Sequence, residues 1–204
     1  MFVCKECGSK KVQVKAWVNA NNNEYISGAI IGEYDIWCED CEEHCELIQE
    51  KEYNNNYREV NGDLIQMAQS GVFNVIAHGC NCMCQMYSGL APKMAKAFYC
   101  DTYNMENIDF KGDINKLGTI DWVEFRSSLF IINAYTQYEP GANLDYDALT
   151  LCLRKINHIF KGKHIGLPQI GCGIGGGDWN IVSEIIQKEL KDCKVTIVIY
   201  QEKN

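Results

Sequence analysis

Two cysteine pairs, "CKEC" at 4–7 and "CEDC" at 38–41, stand in the first quarter of the chain, separated by residues 8–37. Each pair can present two thiolates from one tight turn, and two such turns complete a tetrahedral four-sulfur site for zinc. Cys4, Cys7, Cys38 and Cys41 are the expected ligands of one structural zinc ion, and no catalytic metal is expected. The sequence leaves open whether His44 or Cys45 replaces a ligand, and whether the pairs are instead redox-active or merely buried dithiols. A second concentration is "PQIGCGIGGGDWN" at 168–180, with five glycines among positions 171–177. Glycine is costly to order, and close approach of an oxyanion to backbone amides is the chemistry that would favour so many. A third stretch, "HGCNCMCQMYSGLAPKM" at 78–94, also runs from an apolar strand through glycines into a helix, with Pro92 suited to the first turn. Both loops would deliver N–H groups at a helix start, a natural anion site. His78 and Asp178, at the rims, are the acid–base candidates for hydrolysis of a phosphate ester.

Familiar phosphate motifs fit poorly. "GCGIGG" matches G-x-G-x-x-G, but that fingerprint opens a nucleotide domain, and here only one helix and one strand remain. No G-K-[ST] is present, so there is no P-loop. A thiol phosphatase would carry an arginine at the position of Asp178, so Cys172 reads as a packed residue and not a nucleophile.

These residues need a scaffold. A chain of 204 residues accommodates one well-buried domain and a small appendage. The opening "MFVCKECGSKK" lacks the apolar core of a secretion signal and no run approaches membrane-spanning length, which predicts a cytoplasmic protein with reduced thiols. In the first quarter, "KVQVKAWVNA" and "EYISGAIIGEYDIW" read as strands, with "NNNE" at 21–24 as a hairpin tip. That pattern resembles a zinc ribbon over residues 1–52, whose core is too small to fold without its metal. The segment holds five Lys/Arg against eleven Asp/Glu, a net of −6, which argues against nucleic acid and for a structural or protein-facing ribbon. The polar "EKEYNNNYREVNGD" at 50–63 marks the junction.

From residue 57 onward helices and strands alternate: a short helix capped by Asp63, a buried strand in "VFNVIAHG", a helix in "SGLAPKMAKAFY", and strands in "GTIDWVEF" and "SLFIINAYT". "DYDALTLCLRKINHIF" carries a helical stripe at 148, 151, 152, 156 and 159. A strand in "HIGLPQIG", a helix in "DWNIVSEIIQKEL" and a last strand in "KVTIVIY" complete the series. Such alternation predicts an α/β domain with a mostly parallel sheet between helices, binding its ligand beyond the carboxyl ends of the strands.

In order, "NGDLI" (61–65), "VIAHGCN" (75–81), "SGLA" (88–91), "IINAYTQY" (131–138) and "IGLPQIGCGIGGGDW" (165–179) resemble a macrodomain, the ADP-ribose-binding fold, over residues 57–204. The resemblance implies a three-layer α/β/α architecture with a mixed sheet. It is nearest the phage and microbial branch described as processing ADP-ribose-1''-phosphate. It implies that Asp63 accepts from the adenine amino group, with Leu64, Ile65 and Tyr200 beside the base, and that Asn81 holds the distal ribose. Ser88, Gly89, Leu90 and Ala91 would line the pyrophosphate. Ile170, Gly171, Cys172, Gly173 and Ile174 would wrap the phosphate and distal ribose together with Gly175, Gly176 and Gly177, and Tyr135 with Thr136 would wall the far end. De-ADP-ribosylating macrodomains carry an acidic residue where Gly175 stands and a lysine that "NAYTQYE" lacks, so the resemblance argues against lysine-dependent glycohydrolase chemistry.

The expected activity is therefore hydrolysis of ADP-ribose-1''-phosphate to ADP-ribose and phosphate. The alternative is a module that captures ADP-ribose, its derivatives or ADP-ribosylated protein without turnover, in the host cytoplasm if the source is viral. A nucleic-acid-binding ribbon ranks last.

Overall fold

The computed structural model describes residues 2–14, 16–18, 25–28, 36–49, 56–101, 111–126 and 129–200. The chain divides into two compact units, 1–56 and 57–204.

In the first unit, β1 (Phe2–Cys4) pairs antiparallel with β7 (Leu47–Gln49), and β3 (Ala16–Val18) pairs with β4 (Tyr25–Gly28). Between them in sequence, β2 (Val12–Val14), β5 (Ile36–Cys38) and β6 (Glu43–His44) form a three-stranded sheet in the order β2-β5-β6. The two thiol-bearing turns repeat one geometry. Gly8 N–H donates to Cys4 O at 2.8 Å and Glu42 N–H donates to Cys38 O at 3.0 Å. Gly8 and Glu42 both have positive φ, 73° and 55°. The expected hairpin tip at 21–24 lies outside the described residues.

The second unit is a six-stranded sheet between two helical layers. Its elements are β8 (Tyr57–Asn61), α1 (Leu64–Gln69), β9 (Val75–Asn81), α2 (Ala91–Phe98), β10 (Ile120–Phe125), β11 (Leu129–Gln137), α3 (Tyr146–Ile159), β12 (His164–Leu167), α4 (Trp179–Glu189) and β13 (Lys194–Ile199). The sheet order is β10-β11-β9-β12-β13-β8, parallel throughout except for the β10–β11 hairpin. Successive strand residues face opposite layers. Val75, Ala77, Ile132, Ala134, Ile165, Leu167 and Ile197 bury against α3 and α4, while Ile76, Ile131 and Val198 bury against α1 and α2. The expected three-layer architecture with a mixed, mostly parallel sheet is the one observed.

Two details differ from expectation. Tyr57–Asn61, inside the stretch read as a polar junction, is the edge strand β8; with only one neighbour, it keeps Arg58, Glu59 and Asn61 exposed. In α3 the buried positions are Ala148, Leu149, Cys152, Leu153 and Ile156. Leu151 and Ile159, expected inward, are each 46% exposed, because the inward arc is centred one residue away and Leu151 lies instead over Gly118. Among the described residues, no helix is long and apolar enough to cross a membrane.

Candidate functional site

At the carboxyl ends of β9, β11 and β12 the loops after β9 and β12 enclose a cleft of about 310 Å³. That is the lower end of the range for small-molecule sites. Its walls include Gly89, Leu90 and Ala91 from the first loop and Gly173, Ile174 and Gly175 from the second. Among the described residues, the backbone N–H groups of these six donate to no protein acceptor. Of the six residues only Gly175 is buried, Leu90 and Ala91 are half-buried, and Gly89, Gly173 and Ile174 are exposed, so the two banks present donors that an electron-rich group in the cleft can use in place of water. Helix capping points the same way. Asp63, Asp145 and Asp178 cap α1, α3 and α4 with their carboxylates, whereas α2, which starts at the cleft, has Leu90 as N-cap and no side-chain cap. Its first-turn amides remain available to an anion.

The glycine loop is shaped largely by packing. A Cβ at Gly171 or Gly177 would stand 2.6 or 2.3 Å from the Leu144 side chain, and one at Gly176 2.8 Å from Ala142 Cβ. At Gly175 it would meet Gly171 O at 2.6 Å. Only Gly173, whose Cβ would meet nothing within 4 Å, opens onto free space. The expectation that the glycines serve ligand approach alone is thus corrected: four let the loop fold against the segment before α3 and against itself, and that folding presents the amides. Leu144 N–H donates to Gly175 O and Gly177 N–H to Gly171 O, each at 3.0 Å.

The remaining candidates separate by position. His78, Asn81, Ser88, Gly89, Leu90, Ala91, Ile170, Gly171, Gly173, Ile174 and Gly175 all border the cleft. Asp63, Leu64, Ile65, Tyr135, Thr136, Cys172, Gly176, Gly177, Asp178 and Tyr200 do not. Asp63 uses Oδ1 to accept from Ile65 N–H (2.8 Å) and Gln66 N–H (3.0 Å), and Leu64 is buried in the core behind it. Tyr200 is exposed, with Lys93 Nζ 4.9 Å from its ring centre. Asn81 pins its own loop: its amide donates to Gln85 O and accepts from Gln85 N–H. Cys172 Sγ points to Ile170 O at 3.5 Å. Thr136 Oγ1 is buried without a hydrogen-bond partner among the described residues, beside the space a Cβ on Gly79 would take. Gln85, Gln137, Pro140, Gly141 and Gln169 also line the cleft; their sequence signal was only adjacency to motif residues.

The two acid–base candidates are not brought together. Asp178 caps α4, accepting from Asn180 N–H at 2.8 Å, and is exposed. His78 is 2% exposed, its Nε2 2.8 Å from Asn133 Oδ1. Asn133 Nδ2 in turn donates to Asp121 and to Cys100 O, and the Tyr135 hydroxyl donates to Asp121. Tyr135 thereby belongs to this buried network and not to the cleft wall. Burial lowers the His78 pKa from its ordinary 6.5 to about 4, partly offset by Asn133, so the ring is neutral at pH 7. Because the folded pKa lies below the unfolded one, its contribution is complete above pH 6.5. It is lost as pH falls towards 4, at up to about 1.4 kcal/mol per pH unit. Denaturant melts between pH 7 and 4 should therefore show a shallower acid loss in His78→Gln than in the wild type; equal slopes would refute a neutral buried His78.

In the first unit the sulfurs of Cys4, Cys7, Cys38 and Cys41 lie within 4.8 Å of one another, close enough to hold a metal ion. Cys7 and Cys38 are 3.4 Å apart, Cys4 and Cys41 3.8 Å. Cys45 is buried beneath them in the small core, and His44 stacks edge-on with Trp37.

No protein-family model matches the chain. An uncharacterized 17.5 kDa protein from the tk–vs intergenic region of Enterobacteria phage T4 is 35% identical over 150 residues, 70% of this chain and 95% of the relative. A Bacteroides thetaiotaomicron protein of unknown function is similar in structure, with TM-score 0.57, 21% identity, and 70% and 97% of the two chains covered. The macrodomain of Thermus aquaticus DarG gives a TM-score of 0.53 at 21% identity, over 72% of this chain and 98% of that one. Thermosipho africanus DarTG, solved in complex with ADP-ribose, gives 0.58 at 21% identity over 74% of this chain and 43% of that one.

Proposed function

Since the chain belongs to the family of the phage T4 17.5 kDa protein and its second unit has the macrodomain fold, we propose that the cleft binds ADP-ribose or an ADP-ribose derivative. The two banks of unpaired amides carry this reading. Between them a pyrophosphate would take the place of water on donors that no protein acceptor uses, reinforced by the uncapped start of α2. The ADP-ribose complex of a protein with this fold supports the same ligand.

Capture ranks ahead of turnover. Among the described residues bordering the cleft, none is Asp, Glu, Lys or Arg. The imidazole of His78, which borders it, is neutral and engaged by Asn133. Hydrolysis of ADP-ribose-1''-phosphate, with His78 and Asp178 as acid and base, is the second reading. The open space at Gly173 favours it, as room for a further phosphate. One titration and one assay separate the readings. Saturable calorimetric binding of ADP-ribose with no phosphate released from ADP-ribose-1''-phosphate supports capture. Release that Asp178→Ala abolishes supports hydrolysis, and absence of binding defeats both.

The four-cysteine cluster is read as one structural zinc site. Four sulfurs at about 2.3 Å from a tetrahedral zinc stand about 3.8 Å apart, and the observed pairs at 3.4 and 3.8 Å fit that cage. An all-thiolate set closes the ion to chemistry, so Cys4, Cys7, Cys38 and Cys41 would serve the fold of the first unit. Its acid excess makes a protein the expected partner for the ribbon, if it has one.

A further inference from the structure

We propose that Arg58, His164 and Lys194 form a site for a single phosphate-class oxyanion at the amino ends of β8, β12 and β13, at the opposite end of the sheet from the cleft. The three side chains stand on neighbouring strands: His164 is paired with Lys194, and Arg58 with Thr196. Alternation puts Lys194 and Thr196 on the same face as Val198, which is buried in the core beneath α1 and α2. α1 ends at Gln69, and the turn after it brings Phe73 edge-on to the His164 ring, with 5.0 Å between centroids. Beyond that contact the face opens to solvent: Arg58 and Lys194 are exposed and His164 is half-buried.

One buried oxygen gathers the cluster. Thr196 Oγ1 accepts from Arg58 Nε at 3.0 Å and lies 2.9 Å from His164 Nε2, and Thr196 itself is fully buried. The guanidinium is thereby held by its Nε, while among the described residues its terminal Nη groups donate to no protein acceptor. Among the same residues no carboxylate pairs with Arg58, His164 or Lys194. Three uncompensated basic groups are unusual company in a chain of net charge −8. The turn at 70–74 that packs on His164 holds no titratable residue, so Lys194 from β13 and Arg58 from β8 are the charges the ring faces. Burial first, and then those two charges, hold the His164 pKa below its ordinary 6.5, against a hydrogen bond with the Val72 backbone. The imidazole is therefore neutral at pH 7, and a bound anion would favour its charged form. A tetrahedral oxyanion suits this set. The guanidinium offers a planar pair of donors, the ammonium a point charge, and the ring a third cation once it is protonated.

The test follows the His164 ring by NMR in the full chain, its signal assigned by its loss in His164→Gln. Sulfate is the probe, because it stays a dianion across the titration. It should saturate and raise the pH midpoint of His164 by about 0.5, while chloride at equal ionic strength should not. By linkage, sulfate then binds about threefold more tightly at pH 5 than at pH 8. Lys194→Gln and Arg58→Gln should each weaken sulfate about threefold to fivefold, the upper range for exposed charge pairs. Should Arg58→Gln, which releases Thr196, fail to fold, Lys194→Gln at its exposed position carries the test. An equal response to chloride would mean general screening, and unchanged sulfate affinity in Lys194→Gln would mean that the cluster holds no anion; each overturns the proposal. Glycerol phosphate in place of sulfate separates the sources. A matching response supports a phosphate ester as the ligand, and a response to sulfate alone supports a free inorganic oxyanion.

Discussion

One zinc ion per chain should copurify, and stripping it should unfold the first unit while the second keeps its own cooperative melt. The reason is the composition of the small core. Its buried members among the described residues are Cys4, Ile36, Cys38 and Cys45, with Val12, Cys41 and Leu47 against them. Three of the four are thiols, and outside this cluster Val3 is the one further buried apolar side chain among the described residues of the first unit, so little apolar area is left to offset the entropy of ordering the strands. The Lys5–Glu46 and Lys11–Asp40 ion pairs are exposed and do not replace a core. Structural zinc contributes on the order of 10–16 kcal/mol to such a fold at neutral pH, far more than any other single interaction there. Cys38→Ser should act like the chelator. Since the ligands must be thiolates, acid should release the metal before it melts the second unit. Elemental analysis and an amide NMR spectrum before and after chelation check this. A metal-free yet folded first unit, or a Cys4–Cys41 disulfide, would remove the zinc site.

What the sequence disclosed and what it hid follow physical lines. The C-x-x-C turns were legible because ligand geometry dictates local spacing, and the structure brings their four sulfurs together. Strands β9, β11, β12 and β13 were legible because burial on both faces enforces continuous apolar runs. β8 was not, since an edge strand can expose Arg58, Glu59 and Asn61 and resemble a linker. His78 looked available because it stands at a strand end beside the glycines. Period-two alternation sets it with Ile76 and Cys80, opposite Ala77 and Gly79, and only the fold shows that Asn133 waits on that side. The glycine run disclosed the place of the cleft, but not that Leu144 and Ala142 set the demand for most of it. Those contacts join segments that no local pattern relates.

That division of labour within the loop makes a sharp prediction. In Gly173→Val, ADP-ribose affinity should fall at least about tenfold, roughly 1.4 kcal/mol, while the melting temperature moves no more than a few degrees. Gly173 borders the cleft, is exposed, and lies outside the left-handed region of φ, and a Cβ there would touch nothing in the protein. The new side chain therefore costs the fold little and occupies space the ligand needs. Gly176→Val should behave in the opposite sense. Its φ of 71° is strained for a β-branched residue, and its Cβ would press to 2.8 Å from Ala142 Cβ. A loss of about 1–3 kcal/mol in stability should follow, with any loss of affinity secondary to a displaced loop. Measuring binding and melting on the same samples of both variants keeps the two effects apart. Wild-type affinity in a stably folded Gly173→Val protein would mean that no ligand passes along this loop, and the amide bank from Gly173 to Gly175 would have to be satisfied by water alone.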